Sequence, residues 1–277
     1  MDLDVKPASD YPLPDLTQLL NLSFENYLVP ITFNLSQFLT MVRKDSVDLS
    51  ASRVLLADEQ PVGMALIARR GTLRASRLAA MGIVQSQRGK GSGFWFMEKL
   101  INEARERNDH EMVLEVIEQN EYAVRLYQKC GFQNARRLIG LICKDAKESV
   151  KKNMEELDLR EAGSLISQHG LSDLPWQLAG ETIAQLNPPA RAYRNGPAMV
   201  VTSNLNAEHV VIWSLLVELN ARGKNLGVDM LKTVIANHPG KTWHVPAIFP
   251  EELGKLFERA GFEQEELAQW QMKLTLS

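Results

Sequence analysis

Within its 277 residues the chain carries one pattern twice, and this recurrence limits what it can fold into. An apolar run precedes Arg88-Gly89-Lys90-Gly91-Ser92-Gly93, and a stretch of helical period comes after it. The pattern returns at Arg222-Gly223-Lys224-Asn225-Leu226-Gly227, after HVVIWSLLVEL and before VDMLKTVIANH. Further on, Ala123, Leu126, Tyr127, Gly131 and Phe132 are echoed by Leu253, Leu256, Phe257, Gly261 and Phe262. Arginine and phenylalanine stand 44 positions apart in the first copy (88 to 132) and 40 in the second (222 to 262), as expected of a duplicated unit with a shortened loop. Two similar domains are therefore expected, at 1–147 and 148–277. They would join near the charged segment 144–156, which reads as a linker or a solvated helix.

The first loop has the composition of an anion cradle. Its alternating glycines let the backbone adopt positive φ and approach a ligand without Cβ obstruction. Met97, Leu100, Ile101 and Ala104 then recur at helical spacing, so the loop feeds the positive end of a helix. Unpaired N–H groups there favour phosphate, and Arg88 and Lys90 add charge. The P-loop pattern is excluded, because it needs glycine at Val84 and Ser or Thr at Gly91. The dinucleotide fingerprint fails as well, since it needs glycine at Phe94 or Phe96.

Arg-x-x-Gly-x-Gly at Arg88, Gly91 and Gly93, preceded by Gly82-Ile83-Val84, resembles the acetyl-CoA loop of the GNAT superfamily of N-acetyltransferases. The downstream Leu114-Glu115-Val116, then Asn120, Ala123, Leu126, Tyr127, Gly131 and Phe132, is similar to that family's second half, and the likeness covers roughly residues 10 to 145. The resemblance implies acetyl-CoA as cofactor. Arg88, Gly89, Lys90, Gly91, Ser92 and Gly93 would hold the pyrophosphate, the backbone at Ile83 and Val84 would run beside the pantetheine arm, and Asn120 would contact that arm. It also implies Tyr127 as general acid and, in some members, the LEV glutamate as base, here Glu115. The fold class expected is α/β (α+β): two tandem GNAT-like domains, each a mixed, mostly antiparallel sheet flanked by helices.

The residues support this chemistry directly. Acyl transfer from a thioester to an amine needs a deprotonated amine and a proton for the departing thiolate. Glu115 lies in the apolar strand-like run MVLEVIE, where a carboxylate must face a cleft or a partner. Glu118 competes for the same role. Tyr127 lies on the helical stripe Ala123, Leu126, Tyr127, Cys130, either as the acid or as a packing residue with its hydroxyl at the rim. Asn120 also reads as the N-cap of a helix beginning at Glu121.

In the second copy Phe257 stands for the tyrosine, His244 falls roughly where Glu115 would be, and Pro246 and Pro250 interrupt the region of Asn120. A catalytically silent, degenerate domain is expected there, one that shapes the acceptor cleft or offers an interaction surface.

A net charge of −3 leaves no basic field to attract nucleic acid or a membrane surface, and no apolar run reaches the length of a membrane span. The N-terminus is polar and acidic, so a cytoplasmic location is the expectation. Cys130 and Cys143 lie outside any CxxC or His-rich setting, so reduced thiols and no metal are expected. Residues 15 to 42 read as two helical stretches around Tyr27-Leu28-Val29-Pro30, and strands are expected at Arg53–Ala57, Val62–Arg70 and Arg77–Val84. In resembling proteins the helical region covers the acceptor, making Phe24, Tyr27, Asn26 and Phe33 substrate candidates. The acceptor itself is expected to be a small amine or a peptide N-terminus, and a homodimer stays open. The competing reading is a non-catalytic acyl-CoA-binding regulatory module.

Overall fold

A computed structural model describes residues 2–144 and 153–276 of the chain. Most of the segment expected to join the domains, residues 145–152, lies outside the described residues. Two compact units emerge, one formed by Met1–Ala135 with Gln271–Ser277 and the other by Arg136–Trp270. A single division at 147/148 does not describe them. Residues 136–143 continue a strand that pairs within the second unit, while 271–276 lie in the first.

The first unit begins with strand β1 (Leu3–Pro7), an edge element whose alternating exposure lies within the polar, acidic N-terminus. Helices α1 (Leu13–Ser23) and α2 (Leu35–Lys44) come next, flanking the Tyr27–Pro30 loop as expected. Asn34 closes a capping box with Gln37 at the start of α2. Strands β2 (Arg53–Ala57), β3 (Gln60–Arg70) and β4 (Ala75–Ile83) form an antiparallel meander with β1. Helix α3 (Ser92–Glu106) returns the chain to β5 (Glu111–Ile117), which runs parallel to β4. Its expected stripe, Met97, Leu100, Ile101 and Ala104, is buried, and Phe96 is buried with it. Helix α4 (Glu121–Lys129) completes the series. The segment 271–276 closes the unit beside β5: the Leu276 N–H donates to the His110 carbonyl, and Lys273 pairs with Glu111.

The second unit repeats this plan with a strand contributed from upstream. It contains residues 136–143 of β6 (Gln133–Cys143), then β7 (Glu155–Leu157), α5 (Leu159–His169) and α6 (Gly180–Ile183). Strands β8 (Arg191–Asn195), β9 (Ala198–Thr202) and β10 (His209–Val217) form its antiparallel meander with β7. Helix α7 (Leu226–Asn237) leads to β11 (Thr242–Pro250), parallel to β10 and antiparallel to β6. Helix α8 (Gly254–Arg259) precedes β12 (Glu263–Thr275), whose last residues, from Gln271, belong to the first unit. The second core packs Trp243, Phe257 and Phe249 against Ile212, Leu231 and Val234.

Both sheets open at the same point. Parallel pairing of β4 with β5 ends at Leu78↔Leu114, and a bulge at Ala79 then shifts the β3–β4 register. Pairing of β10 with β11 ends at Val211↔His244, and a bulge at Trp213 shifts the β9–β10 register. An extra residue bends its strand and re-aims the residues after it, so in each unit the two parallel strands part beyond the bulge.

Candidate functional site

In the first unit, β4 beyond the bulge, the loop after it and α4 converge. Ala79, Ala80, Met81 and Gly82 are half-exposed, whereas Ala75 to Leu78 are buried. The loop then takes positive φ at Gly89 (76°) and Gly91 (85°), and a Cβ at either would meet open space. Gly91 is the N-cap of α3, whose amide end opens onto this space. A Cβ at Gly93 would stand 3.5 Å from Leu126 and 3.8 Å from Ile83, so helix α4, the loop and the strand end meet there. An anion fits this cradle, because the glycines leave the backbone bare and the helix terminus is positive.

The charged residues of the loop divide their roles. Arg88 Nε donates to the Ile83 carbonyl (2.8 Å), and its Nη2 donates to the carbonyls of Ser23 (3.0 Å) and Glu25 (3.1 Å). Its guanidinium thus ties the end of β4 to the end of α1. Lys90 is exposed and donates to Gln87 Oε1 at 3.2 Å. Ser92 is buried as the first residue of α3. The backbone at Ile83 and Val84 is largely engaged: Val84 donates to the Val62 carbonyl, the Val84 carbonyl accepts from Gln87, and Ile83 is itself buried. The open backbone lies slightly upstream, at Ala79–Gly82. The sequence offers no sign of this, because the bulge leaves no residue signature.

Tyr127 is buried on α4, its ring edge-on to Phe132 at 5.9 Å. Burial first, with Tyr27 and then Cys130 adding to it, pushes its phenol well above the ordinary tyrosine value, so it stays protonated. The Asn120 side chain serves two neighbours, accepting from the Ala123 N–H (3.2 Å) and donating from Nδ2 to the Tyr27 hydroxyl (3.4 Å). Tyr27 in turn stacks edge-on against Phe24 at 5.2 Å. Phe24 lies against β4, since a Cβ at Gly82 would come within 3.1 Å of its ring. Tyr27, Asn120 and Tyr127 are thus gathered, with Phe24 behind them. Asn26 donates to Gln85 (3.1 Å), and Phe33 exchanges backbone bonds with the Asn21 side chain.

Glu115 has a buried partner that the sequence does not announce. Its Oε2 accepts from Arg77 Nε at 2.7 Å, with both side chains nearly inaccessible, and Arg77 Nη1 lies 3.6 Å from Asp45. Arg77 and Glu115 sit at the point where β4 and β5 part, so the bond between guanidinium and carboxylate lies at the floor of the opening. Cys130 is buried, and burial pushes its thiol up to about 11. Among the described residues no three His, Cys, Asp or Glu are placed to hold a metal, and no helix is long and apolar enough to cross a membrane.

The second unit reproduces the frame. Gly223 has φ 80°, and Asn225 caps α7 at φ 60°, the place of Gly91. Arg222 Nε donates to the Val217 carbonyl (3.1 Å), and Nη2 donates to the His169 carbonyl at the end of α5. A Cβ at Gly227 would meet Leu256 at 3.0 Å and Val217 at 3.4 Å, as Gly93 meets Leu126 and Ile83. Phe257 packs on Phe262 where Tyr127 packs on Phe132. The strand register alters one expected equivalence. His209↔Thr242 repeats Ala75↔Glu111, so Glu115 matches Pro246, and His244 matches Val113. Arg77 matches Val211, and the buried ion pair has no counterpart. His244 instead lies beside His209, the two rings tilted by 42° with centroids 5.6 Å apart, and Glu265 is 4.0 Å away.

Comparison with known proteins is consistent with this construction. The pattern of the Acetyltransferase (GNAT) family matches residues 13–132. Among curated proteins nothing matches the chain. The fold is that of several solved structures at low identity. A tandem GNAT protein from the clavulanic acid biosynthesis pathway aligns with a TM-score of 0.68 and 13% identity, over 100% of this chain and 99% of its own. A GCN5-related N-acetyltransferase from Sphaerobacter thermophilus gives 0.69 and 12%, over 99% and 96%. One from Anabaena variabilis gives 0.63 and 16%, over 100% and 73%.

Proposed function

From a chain whose residues 13–132 belong to the GNAT acetyltransferase family and whose length matches a tandem GNAT fold, we infer an acetyl-CoA-dependent N-acetyltransferase with its chemistry in the first unit. The observation that carries this reading is the Tyr127 phenol, buried, held protonated and grouped with Asn120 and Tyr27 beside the glycine loop. Acetyl-CoA, when bound, supplies an activated acetyl group on a thiol leaving group. The residues fit such a ligand, because Gly89 and Gly91 leave the space of a Cβ open at the amide end of α3.

The loop amides from Gly89 to Gly93 would hold the diphosphate and Lys90 would add charge, with Arg88 fixing the corner from behind. The half-exposed strand Ala79–Gly82 would border the pantetheine arm, with Ile83 forming the wall behind and Asn120 reaching the arm from the α4 side. Tyr127 Oη would donate its proton to the departing thiolate sulfur. Glu115, oriented by Arg77, is the base to which the proton of the attacking amine passes. The amine attacks directly in a ternary complex, with Phe24 and Tyr27 bordering the acceptor. The acceptor is a small amine or a peptide N-terminus. The second unit, with Phe257 and Pro246 at the matching places, is a copy without turnover.

The test is thiol release from acetyl-CoA with amines, polyamines, amino acids and peptides, for the intact protein and for Tyr127→Phe. Turnover with one acceptor class, lost in the variant while binding persists, is the expected result. Tight binding without turnover across the whole panel would instead make the first unit a ligand-binding module.

A further inference from the structure

The second unit has Phe257 where the first has Tyr127, yet it contains a cavity of about 420 Å³ beside its loop. This lies within the roughly 300–1,000 Å³ typical of small-molecule sites. Its floor is the gap between β10 and β11, closed by Phe249 and Phe257. Its sides are leucines from separate elements: Leu171 and Leu174 after α5, Leu215 on β10, Leu256 on α8. All four are only partly buried, so the cavity presents aliphatic surface to whatever enters it.

The rim has the opposite character. Arg222, Lys255 and Arg259 line it, and none of the lining residues is acidic. Arg222 is engaged with the Val217 and His169 carbonyls, and Arg259 donates to Asn225 Oδ1 at 2.6 Å, but both keep their charge. Lys255 is exposed. The Gly223 and Asn225 backbone, both at positive φ, brings the start of α7 to the same rim. An aliphatic interior beneath a cationic mouth is complementary to one kind of molecule, an anionic head on an alkyl chain.

We propose that the second unit is a binding site for an anionic, alkyl-chained ligand that it holds without transforming. The chain lies among Leu171, Leu174, Leu215 and Leu256 against Phe257, and the head, a phosphate or a carboxylate, meets Lys255, Arg259 and the α7 terminus. Replacing a catalytic hydroxyl by Phe257 suits this role, because a phenol at that place would put an unpaired donor into an aliphatic interior.

Titration calorimetry on the full chain with octanoyl-CoA, acetyl-CoA and octanoate tests this. Each methylene taken into an apolar site is worth about fourfold in affinity. Octanoyl-CoA is therefore expected to bind at least about tenfold more tightly than acetyl-CoA. Binding by octanoate as well would place the recognition in a carboxylate head, and binding by octanoyl-CoA alone in the phosphates; both support the proposal. Leu174→Trp, which fills the cavity, should abolish the chain-length preference, and Lys255→Glu should weaken octanoyl-CoA several-fold. Both variants should melt near the parent temperature. A parent protein with no chain-length preference, or a preference unchanged in a well-folded Leu174→Trp, would overturn it.

Discussion

Around Arg88 and around Arg222 the chain builds the same corner from different residues. In each, an arginine bonds the carbonyl five positions upstream and the end of the unit's first helix, α1 or α5, a left-handed residue caps the helix after the loop, and a glycine lets a leucine of the following helix approach. Beyond the corner the copies diverge. The first has a buried phenol, an asparagine cap touching a second phenol, and an Arg77–Glu115 pair where the strands part; the second has Phe257, Pro250, Val211 and Pro246. The two copies share their backbone geometry and differ in these side chains. The arginine is common to both and donates to main-chain carbonyls in both, so it braces the frame of each copy.

The comparison can be broken most sharply at Tyr127. Tyr127→Phe makes the first copy resemble the second, and thiol release should fall on the order of a thousand-fold while calorimetric affinity for acetyl-CoA stays within about twofold. An unchanged rate would remove the main difference between the copies. Next in size is the ion pair. Arg77→Met should lower stability in chemical denaturation by about 3 kcal/mol, since it takes the guanidinium from two buried carboxylates, whereas Val211→Met in the second copy should cost under about 1 kcal/mol.

Smaller effects probe the shared frame. Gly91→Val forces a β-branched residue to φ 85° and should cost about 1–2 kcal/mol, while Gly91→Asn, the residue of the second copy, should cost much less. Arg88→Ala and Arg222→Ala should each lose about 1 kcal/mol in chemical denaturation, a parity expected of braces and contradicted if only one of the two loses stability. Last, the alkaline limb carries a Tyr127 signature. Burial raises its phenol, so the stability it contributes is complete below the ordinary tyrosine value near 10 and is lost as pH rises beyond. Denaturation midpoints above pH 10 should therefore fall more steeply in the parent than in Tyr127→Phe.

What was legible in the chain was local. The glycine spacing, the stripe ending at Tyr127 and Phe132, and their echo at Phe257 and Phe262 are read within one turn or loop, and the structure keeps each at its expected element. What was hidden depends on distant partners. The targets of Arg88, Ser23 and Glu25, lie in another helix end, and a cation beside glycines reads as a ligand for phosphate. Arg77 stands 38 residues before Glu115, and two bulges decide which strand residues face the opening. Matching His244 to Glu115 by spacing failed for the same reason, because only strand register aligns the two copies. The cavity was equally invisible, since its leucines read as ordinary core positions.

The placement of residues 271–276 in the first unit has a consequence for how the protein is made. The segment that closes the edge beside β5 is translated after the whole second unit, so the first 135 residues emerge with that edge bare. During synthesis the order of completion is inverted, and the unit that begins first is finished last. A cut or a bulky fusion near Lys273 would therefore injure the first unit, although more than a hundred residues of the other unit lie between them in the chain.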